Sequence, residues 1–469
     1  MKKILPIIPF ALLLFHLGAQ PVYNSFSSAA CFSLQRNADN ELLAACAPYW
    51  MGTAEVWKLN ADGDTLWSVQ LPNASQKSFQ SLYPTADGAY AVCAQYAVQG
   101  DSSGLYVAKV SDQGQVLWQK DLITPNTLRV KALFSLADQS LVGVGTYGVT
   151  GTPYHAVVRL NSTADDLQLV GTVLVEDDTL PLHYQTLSDA YLSADEQFVV
   201  SVCSDQLSGT NINTNAHVLK TTVNGQLIWK TTIDEGQTDN LMAVTPLSDG
   251  NMLVTGYSND MNGVSVGRLL LVKLDTNGQV IWTKTYESMS LITPLSGCDV
   301  MELPNGEILV TGRSNSAAQY SILLLIIDAQ GQEIKRVALL RNDYDDSPVQ
   351  TTLLNNNTLA IGGVQDQLGE NRGVLILLPL SALVNATEIQ VDDPAFAAFP
   401  NPCASVVQFS YSIPAEQATM NVFNQTGQLI YTGPARPQFQ LEDYAPGVYV
   451  VVLRDEASGK AYLRKVVKQ

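Results

Sequence analysis

The segment Leu269–Tyr286 reads LLLVKLDTNGQVIWTKTY. An apolar run leads into Asp275-Thr276-Asn277-Gly278, and an alternating run follows. Two such runs joined by a short turn ending in glycine predict a β-hairpin, because a tight turn that matches strand twist needs a residue of positive φ. Four more segments share the pattern. They are EVWKLNADGDTLWSVQL at Glu55–Leu71, LYVAKVSDQGQVLWQKDL at Leu105–Leu122, HVLKTTVNGQLIWKTTI at His217–Ile233 and ILLLIIDAQGQEIKRVAL at Ile322–Leu339. The turn glycines Gly63, Gly114, Gly225, Gly278 and Gly331 fall roughly 52 residues apart, with one double gap after Gly114. A degenerate copy at Ala156–Val173, with Asp165-Asp166 at the turn, fills that gap. A seventh copy is expected at Gly373–Val391.

A second hairpin precedes these. Ala86-Asp87-Gly88 leads into a strand, as do Leu247-Ser248-Asp249-Gly250 and Leu303-Pro304-Asn305-Gly306. Each period therefore holds four sequential strands. Seven periods predict an all-β chain with a seven-bladed β-propeller of four-stranded antiparallel blades, whose faces are hidden only against neighbouring blades. The first unit carries its own strands, so the sequence holds no evidence for a borrowed strand, and how the ring closes is left open. Trp67, Trp118, Trp229 and Trp282 recur at one place in the fourth strand and are expected to pack between blades.

The chain has 469 residues, 46% hydrophobic and 15% charged, with a net charge of −18. That composition is folded, and its length allows more than one domain. The acidity argues against nucleic acid as a partner. At the start, Lys2 and Lys3 precede an apolar run, Ile4–Gly18, broken by His16, and Ala19 stands before Gln20. This pattern predicts a secretory signal peptide over 1–19. The run is shorter than the ~20 residues of a spanning helix, and no later stretch predicts a membrane span.

Composition shifts after Val391. The expected layout is a propeller over 20–391, a linker over 392–398 and a small β-sandwich over 399–469. The last region contains FPNP at 399–402, NVFNQTGQLI at 421–430, LEDYAPGVYVV at 441–451 and the basic ending LRKVVKQ at 463–469. In these pieces and their order, residues 396–469 resemble the C-terminal sorting domain of substrates of the type IX secretion system of two-membrane bacteria. The resemblance implies a small immunoglobulin-like sandwich, an outer-membrane export machinery as partner, and delivery to the surface or medium. The residues that carry it include Pro400, Asn401, Pro402, Gly427, Gly447, Tyr449, Lys465 and Lys468. Physically, Pro400 and Pro402 restrict the backbone to an extended lead-in. Gly427 and Gly447 permit tight turns. Lys465 and Lys468 read as a basic tail able to guide recognition by charge.

Catalytic signatures are missing from the sequence. His155, His183 and His217 have no metal-ligand spacing, and there is no nucleophile elbow or phosphate loop. No catalytic or cofactor-binding residue is nominated. Cys31, Cys46, Cys93, Cys203, Cys298 and Cys403 belong to an exported chain, where disulfides form. Cys46 and Cys93 align with Gly145, Gly256, Gly312 and Gly363 and read as compact fillers of the second strand. A turn at Ala38-Asp39 would set Cys31 opposite Cys46, the one pairing with reasonable geometry. Loops on one face are acidic, and Asp177, Asp178, Asp234, Asp239, Asp345 and Asp346 are candidate Ca²⁺ ligands. The function expected is a monomeric, non-enzymatic binding module for a protein or glycan. The alternatives are a carbohydrate-active enzyme using carboxylates in the propeller funnel and a structural or adhesion component.

Overall fold

A computed structural model describes residues 22–469 apart from 26–29, 48–53, 75–76, 98–102, 125–126, 150–151, 174–182, 208–213, 260–266, 288–294, 317–318, 340–344, 368–369, 386–388, 392–395, 415–416, 425–428 and 456–460. The expected signal peptide lies outside the described residues. The chain divides into two compact units, one built mainly on residues 21–379 and the other on 380–469.

The first unit consists of seven four-stranded antiparallel sheets. The first sheet runs in chain order through Ala30–Arg36, Leu42–Ala47, Glu55–Leu59 and Thr65–Gln70. Five more sheets repeat this order, opening with Ser78–Pro84, Thr127–Ser135, His183–Leu192, Thr238–Pro246 and Leu295–Glu302. Each of these opening strands packs against the opening strand of the next sheet. Asp345–Leu353, which opens the seventh sheet, packs against Leu295–Glu302 on one side and Ala30–Arg36 on the other.

The seventh sheet differs from the sequence reading in two respects. Its three later strands in chain order are Asp345–Leu353, Thr358–Gln367 and Glu370–Pro379, and its fourth is Val22–Ser25. Val22 pairs with Leu377 and Ser25 with Val374. A strand is thus borrowed from the start of the chain. The expected outer strand of the seventh copy is replaced by a short helix, Leu380–Asn385.

The hairpin turns follow the glycine argument. Gly63, Gly114, Gly225, Gly278 and Gly331 have φ between 76° and 85°. In the degenerate copy Ala164 takes the same conformation, at φ 53°. The tryptophans explain why some of these turns also exclude a side chain. A Cβ on Gly278 would lie 2.6 Å from the Trp229 ring, and one on Gly114 would lie 2.8 Å from the Trp67 ring. Trp67 Nε1 donates to Asp112 O at 2.8 Å, and Trp229 Nε1 to Thr276 O at 3.1 Å. Each ring thus packs against the turn of the following sheet, as the repeat predicts. Third-strand cations hold the other turns: Lys109 meets Asp87 at 2.6 Å and Lys273 meets Asp249 at 2.7 Å.

The second unit contains a five-stranded and a three-stranded sheet. The larger is built from Ile389–Val391, Ala418–Phe423, Leu429–Pro434, Gly447–Asp455 and Ala461–Lys468; the smaller from Phe396–Phe399, Val406–Tyr411 and Gln438–Gln440. Phe396, Phe409 and Phe439 from the small sheet share one buried cluster with Met420, Val451, Leu453 and Val466 from the large one. Ile389–Val391 and Phe396–Phe399 are both strands of this unit, so the expected linker over 392–398 lies within it and the expected propeller end at 391 is too late. Among the described residues no helix is long and apolar enough to cross a membrane.

Candidate functional site

Every opening strand of the first unit contains one β-bulge at the same place. The register shifts across Phe32, Gln80, Lys131, Ser188, Met242, Cys298 and Val349. A bulge adds one unpaired residue and re-aims its neighbours. Here it pushes a carbonyl toward the second strand. A Cβ on Gly145 would lie 1.8 Å from Arg129 O, and one on Gly256 would lie 1.8 Å from Asn240 O. That contact is the reason for the small position of the second strand. Cys46 occupies it as expected, opposite Cys31, and both thiols are buried and free. In the second sheet the equivalent position is Ala94, opposite Phe79, and not Cys93.

The seven bulges line a central cavity of about 210 Å³. Its wall includes Phe32, Gln80, Lys131, Asp189, Asp299 and Gln350. The residue after each bulge is Ser33, Ser81, Ala132, Asp189, Ala243, Asp299 or Gln350. Three of these reach the next sheet. Asp189 Oδ2 accepts Val244 N–H at 3.0 Å, and Asp299 Oδ2 accepts Thr351 N–H at 2.6 Å. Gln350 Oε1 accepts Leu34 N–H at 2.9 Å.

The ionisable groups on the cavity wall are buried, and their charges shift accordingly. Burial pushes Asp189 up to about 6, opposed by its backbone hydrogen bonds and by Lys131. Burial also pushes Asp299 up to about 7; the hydrogen bond from Thr351 opposes this and the charge of Asp189 adds to it. The Lys131 ammonium is pushed down by burial and held up in part by Asp189. The cavity thus holds two carboxylates raised toward neutral pH and one amine lowered from its ordinary value. None of the three was singled out in the sequence. For Asp189 and Asp299 the available signal was an ionisable residue at a repeat position that carries serine or alanine elsewhere.

The acidic-loop candidates are dispersed. Asp177 and Asp178 lie outside the described residues. Asp234 is exposed, whereas Asp239 is fully buried. Asp345 accepts Tyr320 N–H at 2.8 Å, and Asp346 is buried. Among the described residues, no three His, Cys, Asp or Glu side chains gather around a common point.

The C-terminal motif residues do gather. Asn401 Oδ1 accepts Val467 N–H at 2.8 Å, and Cys403 N–H donates to Val467 O at 2.8 Å. The peptide bonds before Pro400 and Pro402 are both cis. Tyr449 Oη donates to Ala445 O at 2.5 Å, a local tie between its strand and the preceding turn. Lys468 is not a free basic tail. It is 9% exposed, and its ammonium donates to the carbonyls of Glu442 and Tyr444. The final strand must be paired to complete the sheet, and pairing brings Lys468 over those carbonyls. Gly447 opens a strand opposite Lys468 and does not make a tight turn. Gly427 and the side chain of Lys465 lie outside the described residues.

Residues 397–469 match the secretion system C-terminal sorting domain. No curated protein matches the chain. Among solved structures, the chain is similar to PorZ of Porphyromonas gingivalis, a surface component of the type-IX secretion system, at 12% identity and a TM-score of 0.45. That likeness covers 94% of this chain and 59% of PorZ, so the chain spans less than two thirds of its length. Hydrazine synthase of Kuenenia stuttgartiensis is similar at 12% identity and a TM-score of 0.47, over 75% of this chain and 96% of that one. An α-L-arabinanase of Penicillium chrysogenum is similar at 13% identity and a TM-score of 0.44, over 77% and 99%. Likenesses at these scores transfer no function.

Proposed function

We infer that this exported, almost all-β protein of a two-membrane bacterium, secreted or held at the outer surface with a type IX sorting tail at its C-terminus, has as its first unit a closed seven-bladed propeller acting as a non-catalytic binding module, which the tail delivers. A signal peptide over 1–19 starts the export. Closure is supported by the packing of Ala30–Arg36 against Asp345–Leu353 and by the strand Val22–Ser25 in the last sheet. The partner is a surface glycan or protein.

The observation that carries the binding reading is the use of the cavity carboxylates. Asp189 and Asp299 each accept a backbone N–H from the neighbouring sheet. They serve the frame, and the space of about 210 Å³ between them is below the ~300 Å³ at which small-molecule pockets begin. Recognition then belongs to the broad loop faces. The test is a glycan and surface-protein binding screen with the secreted protein. Saturable binding without turnover supports the module; a ligand consumed during the assay sinks it.

One observation favours the second reading. Two carboxylates raised by burial share the cavity wall, and a raised carboxyl is the form that can serve as general acid in glycoside hydrolysis. On that reading Asp299→Asn abolishes hydrolysis of a polysaccharide panel that the parent cleaves. A parent inactive on the whole panel removes it.

A further inference from the structure

Five buried oxygens without a hydrogen-bond partner lie where the fourth and fifth sheets meet. They are Asn215 Oδ1, Asp239 Oδ1, Asn240 Oδ1, Ser258 Oγ and Asn259 Oδ1. Only two other orphan side-chain atoms are found among the described residues, His155 Nδ1 and Thr221 Oγ1. Such atoms are rare because each loses its water without compensation, so five at one junction call for a ligand.

The backbone places three of the five together. Asp239 and Ser258 are direct partners across the first hairpin of the sheet, so their side chains share one face. Thr214 bridges Thr238 in parallel, and Asp239 N–H donates to Thr214 O at 2.8 Å. Asn215 therefore comes alongside Asp239 on the side of the fourth sheet. Asn240 and Asn259 lie on the opposite face of the same strands.

Asp239 is the anchor. It is 0% exposed, and its Oδ2 accepts Glu235 N–H at 2.8 Å and Gly236 N–H at 3.1 Å. Its Oδ1 accepts nothing. Among the described residues no lysine or arginine pairs with it. A carboxylate fixed by two backbone donors, on the same face as Ser258 and with its second oxygen unmet, presents negative charge and an open oxygen donor at this junction.

We propose that Asp239 Oδ1, Asn215 Oδ1 and Ser258 Oγ bind Ca²⁺ at the junction of the fourth and fifth sheets. The donor set is all oxygen, which suits a hard cation and not zinc or copper. Carboxylate, amide and hydroxyl in an irregular arrangement suit Ca²⁺, which accepts 6–8 oxygens with loose geometry and completes its shell with water. Mg²⁺ demands a near-ideal octahedron. A single carboxylate gives weak affinity, of the order of 10⁻⁴–10⁻³ M as in extracellular modules. The ion would tie residues 214–215 of one sheet to the opening strand of the next. Asp234, exposed in the adjoining turn, is not part of this site.

The test uses the full secreted chain, stripped with a chelator and titrated with CaCl₂ by calorimetry and by thermal melting. One Ca²⁺ per chain is expected in that affinity range. A rise in Tm of about 2 °C is expected at about 10 mM CaCl₂, and a smaller one with MgCl₂. Asp239→Asn and Asn215→Ala each weaken binding about tenfold or more. No heat and no shift in the parent protein overturn the proposal and leave the oxygens to buried water. A shift retained in both variants overturns it too, by placing the ion elsewhere. Should Asp239→Asn not fold, Ser258→Ala carries the comparison, because it removes only a small hydroxyl.

Discussion

Gln350 Oε1 accepts the backbone N–H of Leu34 at 2.9 Å across 316 residues of chain. The same oxygen stands 3.3 Å from Ser33 Oγ. This joins the seventh sheet to the first by the device that Asp189 and Asp299 use elsewhere, with an amide replacing the carboxylate. Nearby, Asn355 N–H donates to Asn40 Oδ1 at 2.7 Å, and Arg36 Nη1 to Asn355 Oδ1 at 2.7 Å. Gln350→Ala leaves Leu34 N–H without its acceptor. A loss of about 1–2 kcal/mol is expected in urea unfolding. An unchanged midpoint would show that the seam does not depend on this bond.

The Asp299 carboxyl gives a pH dependence whose sign can be worked out. Its folded pKa, about 7, lies above the ordinary carboxylate value. Folding therefore favours the protonated form. The group destabilises nothing below about pH 4, and stability falls as pH rises from there through about 7. Asp299→Asn keeps an acceptor for Thr351 N–H and removes the buried charge. The variant is expected to gain about 1–3 kcal/mol at pH 8 and nothing at pH 4. Equal effects at both pH values would contradict this account.

Two turn glycines separate the demand of the backbone from that of packing. Gly250 has φ 83° and open space where a Cβ would go, whereas Gly278 has φ 79° and the Trp229 ring there. Gly250→Ala is expected to cost about 1 kcal/mol from backbone strain alone. Gly278→Ala adds overpacking, about 1–3 kcal/mol more. The two melting curves decide it, and equal losses would remove the tryptophan from the argument.

The buried ammonium of Lys468 predicts that the sorting tail depends on its last turn of chain for folding. Lys468→Met keeps the stem and leaves the carbonyls of Glu442 and Tyr444 without their donor. The expected outcome is a tail more readily cut by protease and a lower yield of surface or secreted protein. Normal protease resistance with lost export would instead restore recognition by charge.

The repeat was legible because a positive-φ glycine and a tryptophan recur together, as at Gly114 and Trp67, and each is visible in one-letter code. The bulges were not, since Lys131 or Cys298 sits in a run whose alternation looks unbroken. Their trace was the glycine opposite, Gly256 or Gly312, which reads as a filler until a carbonyl is found against it. The borrowed strand escaped notice because VYNS at 22–25 is short and half polar. Of the proposed cation site only Asp239 was legible; Asn215 and Ser258 were not, because the three are scattered over two sheets and only the pairing of Thr214 with Thr238 unites them. Lys468 misled because a terminal lysine usually faces water.

The strand Val22–Ser25 comes first in the chain and finds its partner, Val374–Leu377, last. A chain that crosses a membrane from its N-terminus thus carries an unmatched edge until nearly the whole body has followed. Prematurely ended chains lack that partner and keep the edge bare. Completeness of the polypeptide through Leu377 is in this way written into its fold.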